Sequence, residues 1–287
     1  MAATTSGRTA VVALLSKYTR RIEMIITLTT DFGLSDPFVG IMKGVILGLA
    51  PHARIVDVTH EIRSYDIGEA AFLVNSSFQY FPSGTIHVVV VDPGVGSMRR
   101  PIAAFAAGHY FVAPDNGVLS YVLHLETSAP PAVHHITNES LFRQPVSHTF
   151  HGRDIFAPTA GHLARGVSLE SVGKAIADYA IKPLPLPVAR GKKLVATVLH
   201  IDKFGNIVTN LRRQDLHAGF KIRLAGQEIS QFCRTFSNAE PNELFALEGS
   251  TGYIEIGLNQ GSAAARLRVS PGTEMEVETG LSYHIES

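Results

Sequence analysis

Three stretches of the chain end in groups able to hold a cation or move a proton. Residues 25–31, IITLTTD, close on Thr29, Thr30 and Asp31; residues 53–62, ARIVDVTHEI, carry Asp57, Thr59, His60 and Glu61. Residues 87–101, HVVVVDPGVGSMRRP, run four valines into Asp92 and then into Arg99 and Arg100. Each carboxylate taken alone reads as an ordinary strand-end cap, and the two arginines either as solvated surface charges or, a short loop from Asp92, as a pair of which one reaches back to that carboxylate. Three such ends in one sheet point to a site, because ligands of open α/β sheets collect beyond the carboxyl ends of the strands. Gly94 and Gly96 permit close backbone approach, but no helix start follows them, so they are not a dinucleotide fingerprint. FHGRD, residues 150–154, places His151, Arg153 and Asp154 within five positions, although a lone histidine is usually structural. IDKFGNIVTN, residues 201–210, reads either as a tight turn or as a recognition loop. In the second case Phe204 stacks on a planar ring and Asn206 offers its amide donor and acceptor to a base edge. His134 and His135 lack acidic or cysteine neighbours and are not read as a metal site.

The elements that must carry these groups alternate between strand and helix from Met24 onward. MIITLTTD is a first strand; in FGLSDPFVGIMKGVILGLAP, Asp36 is the expected N-cap, Pro37 the first helical residue, and Phe38, Ile41, Met42, Ile46 and Leu49 the apolar spacing. ARIVDVTHEI is a second strand, residues 67–81 a second helix stopped by Pro82, and GTIHVVVVD a third strand. PIAAFAAGHYFVAPD reads as two short strands turning at Gly108, and NGVLSYVLHLE as a further helix. Strands apolar on both faces require cover on both sides, so the first domain is expected to be α/β, a mostly parallel sheet covered by helices. Residues 181–193, with prolines at 183, 185 and 187, read as a stiff spacer. Beyond it KLVATVLHIDKFG, FKIRLAGQEI, TGYIEIGLN and TEMEVET alternate with period two, as in a small antiparallel β-barrel or sandwich. The expected division is an extension over 1–23, an α/β domain over 24–180, the spacer over 181–193 and a β domain over 194–287.

The bulk properties exclude several classes. The chain has 287 residues, 45% hydrophobic and 17% charged, with formal net charge zero. That is a packed globular composition, with no basic face for nucleic acid and no apolar run long enough to span a bilayer. One cysteine, Cys233, precludes an internal disulfide and suits a reducing cytoplasm. The first 23 residues, rich in Ser, Thr and Arg, read as an upstream extension and are also compatible with a transit peptide.

Taken together, TTDFGLSDPFVGIMKG, VDVTHEI, VDPGVGSMRRPI, APDNG, TFHGRDIFAP and IDKFGNIVTN resemble the S-adenosyl-L-methionine (SAM) hydroxide adenosyltransferases, a family related to the SAM-dependent fluorinating and chlorinating enzymes. The resemblance runs from about Met24 to the C-terminus. It implies displacement at ribose C5′ by water, giving adenosine and methionine, with SAM as substrate and no cofactor or metal. It also implies catalytic roles for Asp92, Arg99 and His151, ribose binding by Asp31, methionine-amine binding by Asp202, and an adenine pocket built from Phe204, Asn206, Asn259 and Ser262. A homotrimer with the site between subunits is implied as well. The fluorinating relatives carry tyrosines at the positions of Asp92 and His151, a serine at Gly152 and a longer insertion, so the resemblance favours hydroxide over halide. A binding protein that keeps the pocket without turnover is the alternative from another class.

Overall fold

The computed structural model describes residues 23–278 except 126 and 128, so the expected N-terminal extension lies outside the described residues apart from Glu23. Two compact units divide the chain, one formed by Met1–Ile67 with Ser77–Ala180, the other by Gly68–Ser76 with Ile181–Ser287.

The first unit is a seven-stranded sheet in the order β2-β1-β3-β5-β4-β6-β7. Its strands are β1 (Ile25–Thr30), β2 (Arg54–Thr59), β3 (Ile86–Val90), β4 (Pro101–Ala106), β5 (His109–Pro114), β6 (Ala132–Ile136) and β7 (Gly173–Ala175). β2, β1, β3 and β5 run parallel, and β4, β6 and β7 continue the sheet antiparallel. The mixture follows from connection length. The link from β4 to β5 is the two-residue turn at Ala107 and Gly108, which permits only an antiparallel return. β3 is buried along its whole length, as its unbroken apolar run requires.

Helix Phe38–Leu49 buries Val39, Met42 and Ile46. Its N-cap is Pro37, with no side-chain cap, so the expected cap by Asp36 is not formed. Pro37 O accepts the Ile41 N–H at 2.9 Å, which leaves Asp36 one residue outside the capping position. Phe38 and Ile41 stay partly exposed because the core stripe is 39, 42 and 46, spaced by three and four residues. Helix Ala157–Ala164 packs beside it at Gly161, where a Cβ would lie 3.0 Å from Leu49 Cβ. NGVLSYVLHLE forms only the single helical turn Ser120–Leu123. The Asn116 side chain bonds Val91 O and the Val118 N–H, and Gly117 takes φ +91°, which together spend the first half of the segment on a turn.

The second unit is an antiparallel sheet in the order β12-β11-β15-β9-β10-β14-β13, with β8 (Val188–Arg190) paired to β9 (Lys193–Ile201). The others are β10 (Ile207–Arg212), β11 (Lys221–Leu224), β12 (Gln227–Ile229), β13 (Leu244–Glu248), β14 (Tyr253–Leu258) and β15 (Glu274–Glu278), and the sheet curls into a nearly closed barrel. Alternate residues of β9 point inward, Leu194, Ala196 and Val198, to meet Ile207, Ile222, Ile256 and Val277. The proline-rich spacer thus ends in a β-hairpin strand. Gly68–Ser76 belong to the same unit, where Phe72 stacks on the His200 ring with centroids 5.6 Å apart.

Candidate active site

A cleft of about 440 Å³ opens beyond the carboxyl ends of β1 and β3. Asp31 and Asp92 enter it from the strand ends, and Thr149 to Gly152 from the loop that leads into the following helix. The loop after β3 folds back on itself through backbone bonds from Val95 N to Asp92 O and from Ser97 N to Gly94 O. Gly96 is required there. It holds φ +76°, and a Cβ on it would stand 2.2 Å from His148 O, so the two loops close against each other only without a side chain.

That fold-back returns Arg99 to Asp92. Arg99 Nε donates to Asp92 Oδ1 at 2.8 Å, and Nη2 donates to both Asp92 Oδ2 and, at 2.9 Å, His151 Nδ1. The pair is largely shut off from water, with the Arg99 and Asp92 side chains 9% and 5% exposed. The guanidinium also lies over the Phe156 ring, 5.1 Å from its centroid. Arg99 Nη1 is buried without a partner among the described residues. His151 immediately precedes a π-helical turn, Gly152–Phe156, a backbone form frequent at functional sites. Burial and then the Arg99 charge push the imidazole pKa below its ordinary value, against a smaller opposing pull from Asp92. A guanidinium has no lone pair to offer, so Nδ1 accepts and the proton of the neutral ring sits on Nε2. The motif's other charges have a different task. Arg153 bonds the fully buried Asp154, which also accepts the Ser147 N–H and so anchors the loop.

Asp31 Oδ2 accepts the Tyr65 N–H at 2.9 Å, and Oδ1 has no hydrogen bond among the described residues. Phe32, Phe38 and Phe150 meet edge to face along the cleft, with centroids 5.2–5.9 Å apart.

In the second unit a separate cavity of about 860 Å³ is lined by Asp202, Phe204, Asn206, Arg234, Phe236, Glu255 and Gln260, among others. IDKFGN forms a tight turn, and its Asp202, Phe204 and Asn206 line the cavity. Asp202 Oδ1 accepts the Phe204 and Asn206 N–H groups, and Oδ2 accepts the Asn206 amide at 2.8 Å. Phe204 is 78% exposed. Asn259 donates to Ala239 O at 2.6 Å and lies outside the cavity wall, while Ser262 caps helix Ala263–Leu267; from that stretch Gln260 and Gly261 face the cavity. Glu255 has its carboxyl pKa raised, first by burial and then by Asp202.

Tyr65, Phe32, Arg234, Phe236 and Glu255 were not legible as site residues. Tyr65 reaches the cleft from a left-handed backbone, φ +70°, which no sequence pattern announces. Arg234 and Phe236 lie in an irregular connection without periodicity.

Residues 26–173 match the family model of the SAM hydroxide adenosyltransferase N-terminal domain, and residues 196–276 that of its C-terminal domain. An (R)-S-adenosyl-L-methionine hydrolase of Salinispora arenicola is 37% identical over 260 residues, covering 89% of this chain and 98% of that protein. A fluorinase of Nocardia brasiliensis is 28% identical over 319 residues, covering 96% and 99%. The crystal structure of an uncharacterized conserved protein from Thermotoga maritima superposes with a TM-score of 0.81 at 36% identity, over 88% of this chain and 99% of that one. Both domain models match, in order and across most of the described chain, and this protein belongs to the SAM hydroxide adenosyltransferase family.

Proposed function

We propose that this protein hydrolyses SAM to adenosine and L-methionine by attack of water at ribose C5′. The observation that carries the reading is the bonded set Asp92, Arg99 and His151 at the cleft, with a buried guanidinium N–H left over. The water oxygen forms its bond to C5′ as the C5′–S bond breaks, and that electron pair stays on sulfur, which becomes the neutral thioether of methionine. A sulfonium needs no acid to leave. The barrier lies with the nucleophile, since bulk water has a pKa of about 15.7. Arg99 Nη1 and His151 Nε2–H are both donors, so they stabilise negative charge on the attacking oxygen. Asp92 is then the acceptor, taking the water proton as the C–O bond forms and passing it to solvent. No cofactor is needed for this step.

Asp31 binds the ribose hydroxyls through its carboxylate, Asp202 faces the methionine amine, and Phe204 and Asn206 face adenine. The protein acts as a homotrimer in which the cleft of one subunit is completed by the cavity of the next; Leu34, Met98 and Phe204, all strongly exposed, support that assembly. The cytoplasmic placement rests on the single cysteine. Hydroxide is favoured over halide because a Cβ at Gly152 would press to 3.0 Å on the Phe150 ring and 3.2 Å on Met42 Sδ. The Salinispora arenicola relative is named as a hydrolase of (R)-S-adenosyl-L-methionine, and the same epimer is the substrate proposed here.

The test is incubation of the purified protein with each SAM epimer in ¹⁸O-water, with mass spectrometry of the nucleoside. Adenosine labelled at the 5′ oxygen, formed faster from the (R) epimer, is the expected result. Bound but unconverted SAM would turn the reading toward a nucleoside sensor.

A further inference from the structure

We propose that Thr30 is a positioning residue whose hydroxyl, oriented by His60, sets the turn that presents Asp31 to the cleft; the inference rests on the ribose-binding reading of Asp31. Among the described residues Asp31 has one direct tether, the Tyr65 N–H. Its two neighbours are held by a single hydroxyl, because Thr30 Oγ1 accepts the Phe32 N–H at 3.2 Å and meets His60 Nδ1 at 2.9 Å. His60 grips the same turn a second time, its carbonyl accepting the Gly33 N–H at 2.8 Å where the backbone takes φ +64°.

The far side of the ring faces a charge. His60 Nε2 lies 3.0 Å from Asp57 Oδ1, off the ideal N–H axis, and Asp57 Oδ2 accepts from Lys43 Nζ at 2.6 Å. A carboxylate only accepts, so Nε2 carries the proton, Nδ1 of the neutral ring accepts, and the Thr30 hydroxyl donates to it. That order leaves the Thr30 lone pairs to the Phe32 N–H. Thr30 is fully buried and His60 4% exposed, so no water can substitute for a missing partner. The chain Lys43–Asp57–His60–Thr30 therefore fixes where Asp31 starts and where Phe32, itself a cleft residue, ends. A carboxylate displaced by even a fraction of an ångström binds a diol less well, while the chemistry at Asp92, on another strand end, is left alone.

The experiment compares Thr30→Val, which keeps the volume and deletes the hydroxyl, with Thr30→Ser, which restores it. Two readouts are used, amide hydrogen exchange of Phe32 and Gly33 in the free protein, and adenosine Kd with SAM kcat and KM. Thr30→Val is expected to speed exchange at both amides at least about tenfold. It is also expected to raise Kd and KM about tenfold with kcat within about threefold, and Thr30→Ser to stay within about twofold of wild type on each. In an Asp31→Ala background Thr30→Val should change adenosine affinity by less than about twofold, since the two act as one unit. Unchanged exchange in Thr30→Val, or a loss carried by kcat with KM unchanged, overturns the proposal. Faster exchange together with an Asp31→Ala variant that binds adenosine normally would instead show that the relay holds the turn and that the ribose assignment is at fault.

Discussion

Replacing Arg99 by lysine separates its charge from its geometry. Full removal of the charge would leave Asp92, 5% exposed, as an unpaired buried carboxylate, at about 3–5 kcal/mol of stability. Lysine keeps a cation beside Asp92 and avoids most of that loss. What it cannot reproduce is the fork. Arg99 uses Nε and Nη2 on Asp92, shares Nη2 with His151 and holds Nη1 free. A single ammonium on Asp92 leaves the attacking oxygen without the Nη1 donor. Losing one preorganised donor costs about 2.7–4 kcal/mol, or about 10²–10³ in kcat. His151 also loses the contact that holds its tautomer, so the fall should be at least that large. The Nη1 donor is assigned to charge that develops in the transition state and not to bound substrate, so KM should stay within about threefold. The assay is the initial rate of adenosine formation across a range of SAM concentrations, with a thermal melt to verify folding. A kcat within tenfold of wild type, or a loss confined to KM, would refute the assignment of Arg99 to the transition state.

The His151 imidazole should titrate below pH 6.5, because burial and Arg99 lower its pKa, and in Arg99→Gln, freed of the second influence, its titration should move upward; an NMR titration of the ring that stays fixed contradicts this. His87 is buried with a pKa of about 3, so the unfolded chain binds a proton between pH 6.5 and about 3 that the folded one refuses. Stability is therefore full above pH 6.5 and falls as the pH drops through that window, by up to about 1.4 kcal/mol per unit, and urea titrations of His87→Phe should show a shallower dependence. Gly205→Ala should destabilise the protein and open the second cavity's loop, because the site holds φ +85° and a Cβ there would lie 2.0 Å from Ser262 Oγ; a melting temperature equal to wild type would show that the turn has a free alternative. Gly152→Ser should slow hydrolysis and yield no 5′-halo nucleoside in chloride or fluoride, as chromatography of the products can check.

The elements themselves were readable from local pattern. Four valines in a row demand burial on both faces, and period-two alternation in KLVATVLHI demands a half-buried strand, whatever surrounds them. The strand-end positions of Asp31 and Asp92 followed from the same pattern, since polar residues stop an apolar run at the edge of the core. The turns between Asp92 and Arg99 and around IDKFGN were marked by glycine and aspartate. Where local pattern competes with itself, it fails. Asp36 has the better capping side chain but Pro37 takes the cap position, and NGVLSYVLHLE has helical spacing but spends its first residues on a turn that Asn116 and Gly117 stabilise.

The bonding of Arg99 to Asp92 and His151 belongs to the tertiary structure. His151 stands 52 positions from Arg99 in the chain, and only the fold-back at Gly96, against the loop carrying His148, closes that distance to 2.9 Å. The depressed His151 pKa, the tautomer and the unpaired Nη1 all follow from burial in that arrangement. Tyr65 likewise owes its place in the cleft to a backbone conformation imposed by its surroundings. The amino-acid sequence on its own determined which segments must be strands and which charged groups must lie at their ends, because burial and periodicity act over a few residues. Which of those groups touch, and in which protonation state, was decided by contacts between residues far apart in the chain, where loop closure and desolvation set the chemistry.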